Sequence, residues 1–316
     1  MLYHEPFQVK IGKSYFEIFI DSNINFTPYS VEYNKLKYKN ENAGIKIFIQ
    51  NLNAPETTLQ FKTNKIEFDT LHKISFLNDW KSNTFFSFKT DPFTSEDILM
   101  TQNWIRYIGI YYSAIKNNML PLHSAFLRIK KRNIIIAGNV CTGKTSLSIQ
   151  NLLNDNLVFT DEDTLLLMDI NKLKAIPIPR LLQVPEKPFY QKISNKFSDY
   201  LLYEDKITIF NQRINLLHLP EISKRTLIPK KVDKLIFLNY NKETEKVAVR
   251  KITSLEKVYK LLYHMTNFDY LTESKTYYKK IFKLLTTNLQ NIPDSYEITY
   301  AAKDRKELYN LLVSII

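Results

Sequence analysis

One segment constrains this chain more than any other: Asn133-Ile134-Ile135-Ile136-Ala137-Gly138-Asn139-Val140-Cys141-Thr142-Gly143-Lys144-Thr145-Ser146. A β-branched apolar run ends at Gly138, a loop closes on Gly143-Lys144-Thr145, and Leu147 to Leu153 reads as the start of a helix. Strand, loop and helix with the spacing G-x-x-x-x-G-K-[ST] are the sequence form of a P-loop. The chemistry explains the residue types. Glycines let backbone N–H groups turn inward around a phosphate, and the helix N-terminus adds a favourable field. The stretch Gly138, Asn139, Val140, Cys141, Thr142, Gly143, Lys144, Thr145 and Ser146 is therefore the expected nucleotide-binding loop, with Lys144 reaching the β- and γ-phosphates and the Thr145 hydroxyl able to ligate Mg²⁺. The chain has 5 glycines in 316 residues, and two of them occupy the required positions. With glycine that rare, a chance match has little room, and ATP with Mg²⁺ is the expected cofactor pair.

Composition narrows the rest. A chain of 316 residues with 44% apolar residues can fill two domains. No apolar run approaches the roughly 20 residues of a membrane span, and Met1 to Lys10 lacks the apolar core of a secretory signal, so neither membrane nor export is expected. One cysteine excludes an internal disulfide and fits a reducing cytoplasm. The net charge of +12 could suit nucleic acid, but the lysines are scattered, arginine is scarce, and no recognised nucleic-acid motif accompanies them. No nucleic-acid partner is expected.

Along the chain, residues 1–92 read as a β-rich N-terminal domain. Short aromatic and β-branched runs lie at Tyr15 to Ile20, Val31 to Tyr38, Ile45 to Ile49, Thr58 to Phe68, Lys73 to Leu77 and Phe85 to Phe88, with Ile45, Ile47 and Ile49 alternating as in a half-buried strand. No catalytic motif appears there; a substrate-positioning or dimerising sheet is the open possibility. Residues 93–316 read as a second domain. A helix begins near Thr94, where Thr94 and Asp97 have capping-box spacing, and Ile98, Thr101, Ile105, Ile108, Tyr112 and Ile115 form its apolar stripe. Trp104 and Tyr107 beside that stripe are expected to pack rather than to hold a cofactor. Leu120 to Leu127 enters the core one hairpin before the P-loop, with Lys130 to Asn133 as the turn. Leu157 to Thr160 reads as a buried strand ending in Asp161-Glu162-Asp163, and a hairpin of Leu165 to Asp169 with Lys174 to Ile178 follows. Residues 185–225 read as loops over the site. An apolar strand over Lys234 to Leu238, helical patterns near 254–266, 272–289 and 303–315, and a short strand at Tyr296 to Tyr300 close the chain.

The order Leu122-His123-Ser124-Ala125, strand, Gly138 to Ser146, helix, then Phe159-Thr160-Asp161-Glu162 resembles the HPr kinase/phosphorylase-like kinases. Those enzymes place a histidine on the strand before the P-loop hairpin and an acid pair after the P-loop helix. The likeness covers roughly residues 95–300. It implies an α/β fold, a P-loop core on a mixed sheet, and transfer of a phosphoryl group from ATP to a serine of a protein or peptide, including precursor peptides of ribosomal natural products. Two departures stand out. The signature through which the bifunctional members also dephosphorylate is not evident, so kinase activity alone is expected. Asn139-Val140-Cys141-Thr142 also replaces the family's small, Ser- and Gly-rich filling.

In that reading Asp161 accepts the acceptor hydroxyl's proton, Lys144 holds the phosphates, and His123 tunes Asp161. Thr145 holds the metal, Glu162 assists through a metal-bound water, and Asp163 is an exposed neighbour. Each has a plainer counterpart: a solvated turn for Asp161 and Glu162, a packed histidine for His123. Arg180 and Arg225 are candidate phosphate or substrate contacts, or else surface ion pairs. Ser124, Ser146 and Ser148 build no triad with His123, which sets a serine hydrolase aside. Cys141 is either a thiol favoured as thiolate beside the helix N-terminus and Lys144, or a small apolar filler. The expected activity is an ATP- and Mg²⁺-dependent kinase of a serine or threonine in a peptide or protein, in a possible homo-oligomer. The alternatives are a kinase of a small hydroxylated metabolite, or a nucleotide-binding regulatory or scaffold protein without transfer activity.

Overall fold

The computed structural model describes residues 7–11, 14–24, 44–51, 64–69, 74–79, 82–169, 171–178, 182–185, 189–209, 212–217, 228–244, 246–266, 274–301 and 307–316. The expected strand at Val31 to Tyr38, and both Arg180 and Arg225, lie outside the described residues. The protein is mixed α/β and divides into two compact units, Met1–Gly109 and Ile110–Ile316. The division falls inside helix α1 (Ser95–Asn117), which the sequence reading assigns wholly to the second domain.

In the first unit, β1 (Phe7–Ile11), β2 (Ser14–Ile20), β3 (Ile45–Asn51), β4 (Asn64–Asp69), β5 (Ile74–Asp79) and β6 (Thr84–Lys89) form one sheet in the order β1-β2-β3-β6-β5-β4. The pairs β2–β3 and β3–β6 are parallel and the others antiparallel. β1 has no counterpart in the sequence reading. Strand alternation does its work here: Ile18, Ile47 and Phe85 line up across three strands and are fully buried. On the other face Phe19, Phe48 and Phe86 stack at 4.7 and 5.0 Å. Asp97 closes the N-terminus of α1 by accepting from the Thr94 N–H at 2.7 Å and the Thr94 hydroxyl at 2.8 Å, and it also takes Lys89 Nζ at 2.7 Å. Trp104 packs on Phe76 with ring centroids 4.9 Å apart, so it is a core residue. Among the described residues no helix is long and apolar enough to cross a membrane.

The second unit begins, after the end of α1, with β7 (Leu120–Ile129) and β8 (Arg132–Gly138), a tight hairpin turning on Lys130 (φ 47°) and Lys131 (φ 70°). Both turn residues are left-handed, as a two-residue hairpin with the right strand twist requires. Then come α2 (Lys144–Leu153), β9 (Leu157–Thr160), β10 (Asp163–Asp169), β11 (Lys172–Pro177), β12 (Leu182–Pro185), α3 (Tyr190–Phe197), β13 (Leu201–Ile209), β14 (Gln212–Leu217), β15 (Lys230–Lys231), β16 (Lys234–Tyr240), β17 (Ala248–Lys251), α4 (Ser254–Tyr263), α5 (Ser274–Thr287), β18 (Ser295–Tyr300) and α6 (Leu308–Ile315). The main sheet runs β15-β11-β10-β7-β8-β16-β18-β17, with β9 also paired to β7. β8, β16 and β18 are mutually parallel, so their carboxyl ends open on one edge. Between 185 and 225, where loops are expected, the described residues supply α3 and the strands β13 and β14, which with β12 make the small antiparallel sheet β12-β14-β13. The β13–β14 pairing shifts register between Leu202 and Ile207, an irregularity that a period-two reading of β13 does not anticipate.

The core lies between sheet and helices. Leu147, Ile149 and Leu152 of α2 share one buried cluster with Ala125, Leu127, Ile134, Ile136, Leu238, Ile298, Leu308 and Leu312. Each of the Leu and Ile side chains contributes about 1.5–3 kcal/mol on burial. This packing fixes the axis of α2, and with it the position of the loop that precedes it.

Candidate functional site

β8 ends at Gly138 because nothing larger fits. A Cβ there would lie 2.5 Å from Thr142 Oγ1 and 3.1 Å from Leu238 Cβ. The loop then folds on itself: Thr142 donates to Asn139 O from its hydroxyl at 2.7 Å and from its N–H at 3.3 Å. Cys141 (φ 65°) and Gly143 (φ 84°) both turn left-handed, and Gly143 caps α2. Gly143 adopts that conformation without cost, whereas Cys141 carries about 1–2 kcal/mol of strain. Alternating hands of this kind point successive N–H groups to one side, the geometry of an anion nest.

Lys144 closes the ring. It is 6% exposed, and its Nζ donates to Gly138 O at 2.7 Å and to Asn139 O at 2.9 Å. An ammonium has three donors, and these bonds use two. Burial pulls the Lys144 pKa down to about 8, against the opposing pull of Asp161, Cys141 and Asp163. The Thr145 hydroxyl donates to Asp161 Oδ2 at 3.1 Å, across 16 residues of sequence. Sequence reading places these two groups near one place; the structure brings them into contact.

The acids owe their position to a break in strand pairing. β9 pairs with the far half of β7, Phe126 to Arg128, and β10 with the near half, Leu120 to His123. Between them Asp161 and Glu162 bulge past Ser124, whose N–H bonds Glu162 O at 2.7 Å. Ser124 faces Ala137 on β8, so the acids stand level with the point where β8 gives way to the loop. Asp161 is buried and Glu162 half-buried. Asp163 corrects an expectation: it is 8% exposed, not solvated. It opens β10, and that strand is flanked by β7 and β11, so the residue is drawn into the sheet. His123 sits opposite Asp163 in that ladder.

Three residues to which the sequence reading gives no site role complete the surroundings. Tyr300, fully buried at the end of β18, donates its hydroxyl to Thr142 O and stands 3.4 Å from where a Cβ on Gly143 would be. His264, just past α4, stacks on Phe237 of β16 with centroids 5.7 Å apart, and its carbonyl takes the His123 N–H at 3.1 Å. Burial, then Lys260 and Lys144, pushes its pKa down to about 4, so it is neutral at pH 7. Tyr263 lies edge-on to His264 at 5.0 Å and receives a long hydrogen bond from Asn139 Nδ2 at 3.4 Å. Their signal in the sequence is faint, since each is one aromatic among 20 Tyr and 20 Phe, or one of 5 His.

Tyr300→Phe removes the link from the end of β18 to the loop carbonyl at Thr142. One hydrogen bond of about 1 kcal/mol is at stake, so a ligand of this loop should bind roughly fivefold more weakly with little change in melting temperature. A titration with adenosine triphosphate checks this; unchanged affinity would detach Tyr300 from the loop's function.

Cys141 is exposed, which excludes its reading as a buried filler. It should be alkylated by iodoacetamide in the empty protein and shielded by nucleotide, as read by mass spectrometry; labelling indifferent to nucleotide would put the thiol outside the cradle.

Among the described residues no three or more His, Cys, Asp and Glu side chains gather to hold a metal. A hydroxyl and a carboxylate oxygen meeting at the helix start, Thr145 and Asp161, are nonetheless the hard donors that suit Mg²⁺, which takes one or two protein oxygens beside substrate phosphates.

No family model and no curated protein matches the chain. Among solved structures, the Hpr(Ser) kinase/phosphatase from Coxiella burnetii is similar over 61% of this chain and 86% of that chain, at 14% identity and a TM-score of 0.33, a likeness too distant to speak to activity.

Proposed function

We propose that the Ile110–Ile316 unit is a P-loop kinase of the HPr kinase-like kind, which moves the terminal phosphoryl group of ATP to a serine or threonine hydroxyl of a peptide or protein. The observation that carries the reading is the contact of Thr145 with Asp161 beside the Lys144 ring. A glycine turn that binds nothing has no reason to bury an ammonium and two carboxylates around one helix N-terminus, because isolated buried charges cost several kcal/mol each.

The residues divide the work as phosphoryl transfer demands, by positioning and charge neutralisation. Loop N–H groups between Asn139 and Thr145, apart from that of Thr142, and the α2 N-terminus receive the phosphates, and the third donor of Lys144 reaches the β- and γ-oxygens. Thr145, with Glu162, would hold Mg²⁺, which would supply charge neutralisation to the phosphates. Asp161 takes the proton from the acceptor hydroxyl as its oxygen bonds to the γ-phosphorus, and the bond to the bridging oxygen breaks to release ADP. Buried, neutral His264 keeps further positive charge away from Lys144, and its carbonyl holds the His123 N–H.

The decisive assay incubates the protein with γ-labelled ATP, Mg²⁺ and serine-containing peptides. Label recovered as phosphoserine or phosphothreonine supports the reading; nucleotide binding with no transfer to any peptide would favour the scaffold alternative, and transfer to a small alcohol alone would favour a metabolite kinase.

A further inference from the structure

Helix α5 has a committed inner face and an unusual outer one. Tyr277, Ile281 and Leu285, spaced i, i+4, i+8, are buried, and the Tyr277 hydroxyl donates to Met119 O. That anchoring leaves Lys275, Thr276, Lys279, Lys280, Phe282 and Lys283 on the exposed side, Phe282 at 42%. The four lysines lie within about 12 Å of helix. Lys275, Lys279 and Lys283 repeat every four residues, so they stand one above another and repel. Lys275 also occupies the first turn, the end where the helix dipole disfavours a cation. The stability of the helix gains nothing from this arrangement.

The charge is not neutralised nearby. Residues 274–293 contain no acid, and with Glu273, which precedes the helix, the segment still has four lysines against one carboxylate. Among the described residues none of the four ammonium groups has an ion-pair partner. The acids of α4, which packs against α5, and of β18 with the turn before it are committed elsewhere. Glu256 is held by Arg250, Glu297 by Arg250 and Lys260, and Asp294 by Lys251 at 2.8 Å. The positive field of α5 is therefore local. Its residue types select among anionic partners. A helix that reads a major groove presents Arg, Asn or Gln to base edges, and a single strand takes a row of stacked aromatics. The outer face of α5 has none of the former and one ring of the latter. Lysines around a single exposed phenyl ring match the edge of a bilayer, with ammonium groups at the headgroups and the ring at the acyl boundary.

We propose that the outer face of α5, with Lys275, Lys279, Lys280 and Lys283 around Phe282, adsorbs to an anionic lipid surface. The contact is peripheral: the helix lies on the bilayer while its buried inner face stays with the core. Each lysine near such a surface adds about fivefold to partitioning, so four of them with one ring give reversible, salt-sensitive binding. This face works independently of the group that the P-loop transfers.

The test is co-sedimentation of the full chain with phosphatidylcholine vesicles, plain or containing about one third phosphatidylglycerol. Two triple variants are compared with wild type. Lys275→Gln/Lys279→Gln/Lys283→Gln strips the helix, and Lys172→Gln/Lys192→Gln/Lys242→Gln removes the same charge from exposed sites elsewhere. Wild type should bind the anionic vesicles at low salt, leave them at about 0.5 M NaCl, and ignore the plain ones. The α5 variant should lose about a hundredfold in partitioning, and the second variant should stay within about threefold of wild type. Phe282→Ala should lose about threefold. Circular dichroism checks the fold, and Lys279→Gln alone, with an expected loss of about fivefold, replaces the triple variant should that misfold. Equal losses in the two triple variants would reduce the effect to whole-chain charge and overturn the proposal. No binding to anionic vesicles, or equal binding to plain ones, overturns it too. A fluorescent oligonucleotide bound more tightly than the vesicles, and released only by the α5 substitutions, would make this a nucleic-acid face instead.

Discussion

Replacing Lys144 with Met should give a chain that is slightly more stable than wild type and no longer binds a nucleoside triphosphate. The two halves of that result come from one cause. Folding lowers the Lys144 pKa from 10.5 to about 8, chiefly by burial. Between those values the unfolded chain holds the extra proton, so stability rises with pH from about 8 to about 10.5, and below pH 8 the full cost is present. At about 1.4 kcal/mol per unit the cost near neutrality is on the order of 3 kcal/mol, partly offset by the bonds to Gly138 O and Asn139 O. Methionine keeps the stem and removes the charge, for a net gain of about 1 kcal/mol in urea titrations at pH 7. A bound triphosphate reverses the balance by supplying the negative charge the ammonium faces. Affinity in the wild type should therefore be full below pH 8 and weaken as pH rises through that value. A loss of stability in the Lys144→Met variant would contradict the reading of Lys144 as a strained, functional charge.

Asp161→Asn should leave the fold and ATP binding intact and lower phosphoryl transfer by about 10²–10⁴-fold, the usual worth of a positioned base. Asparagine keeps an oxygen to accept the Thr145 hydroxyl, so the 3.1 Å contact survives while the proton acceptor does not. Measuring kcat in single turnover, and nucleotide affinity with and without Mg²⁺, separates the roles. Lost transfer with intact Mg²⁺-dependent affinity assigns the base to Asp161; lost Mg²⁺ dependence makes it a metal-holding residue; a larger loss from Glu162→Gln exchanges the two acids.

The parts of this site that the sequence announces are local. Gly138, Gly143, Lys144 and Thr145 lie within eight consecutive residues, and the β-branched run before them and the helix after them follow from propensity and period. The capping pair Thr94 and Asp97 is legible for the same reason. What is not legible depends on register and distance. Tyr300 reaches Thr142 across 158 residues and Tyr263 reaches Asn139 across 124, and neither pairing leaves a local pattern. The burial of Asp163 follows from which half of β7 its strand joins, a matter of pairing that composition cannot express. β13 and β14 escape notice because their pairing shifts register between Leu202 and Ile207. Charged or aromatic residues brought together by a sheet edge are seen only once the strand order is known.

In the proposed function the ring of Gly138, Asn139 and Lys144 serves as a triphosphate cradle. Calorimetric titration of the purified chain with ATP, with and without Mg²⁺ and alongside Lys144→Met, tests it most directly. The expected result is one site per chain, tighter with Mg²⁺ and lost in the variant. A folded wild-type chain that takes up no ATP, or a variant that binds it as well as wild type, would contradict it.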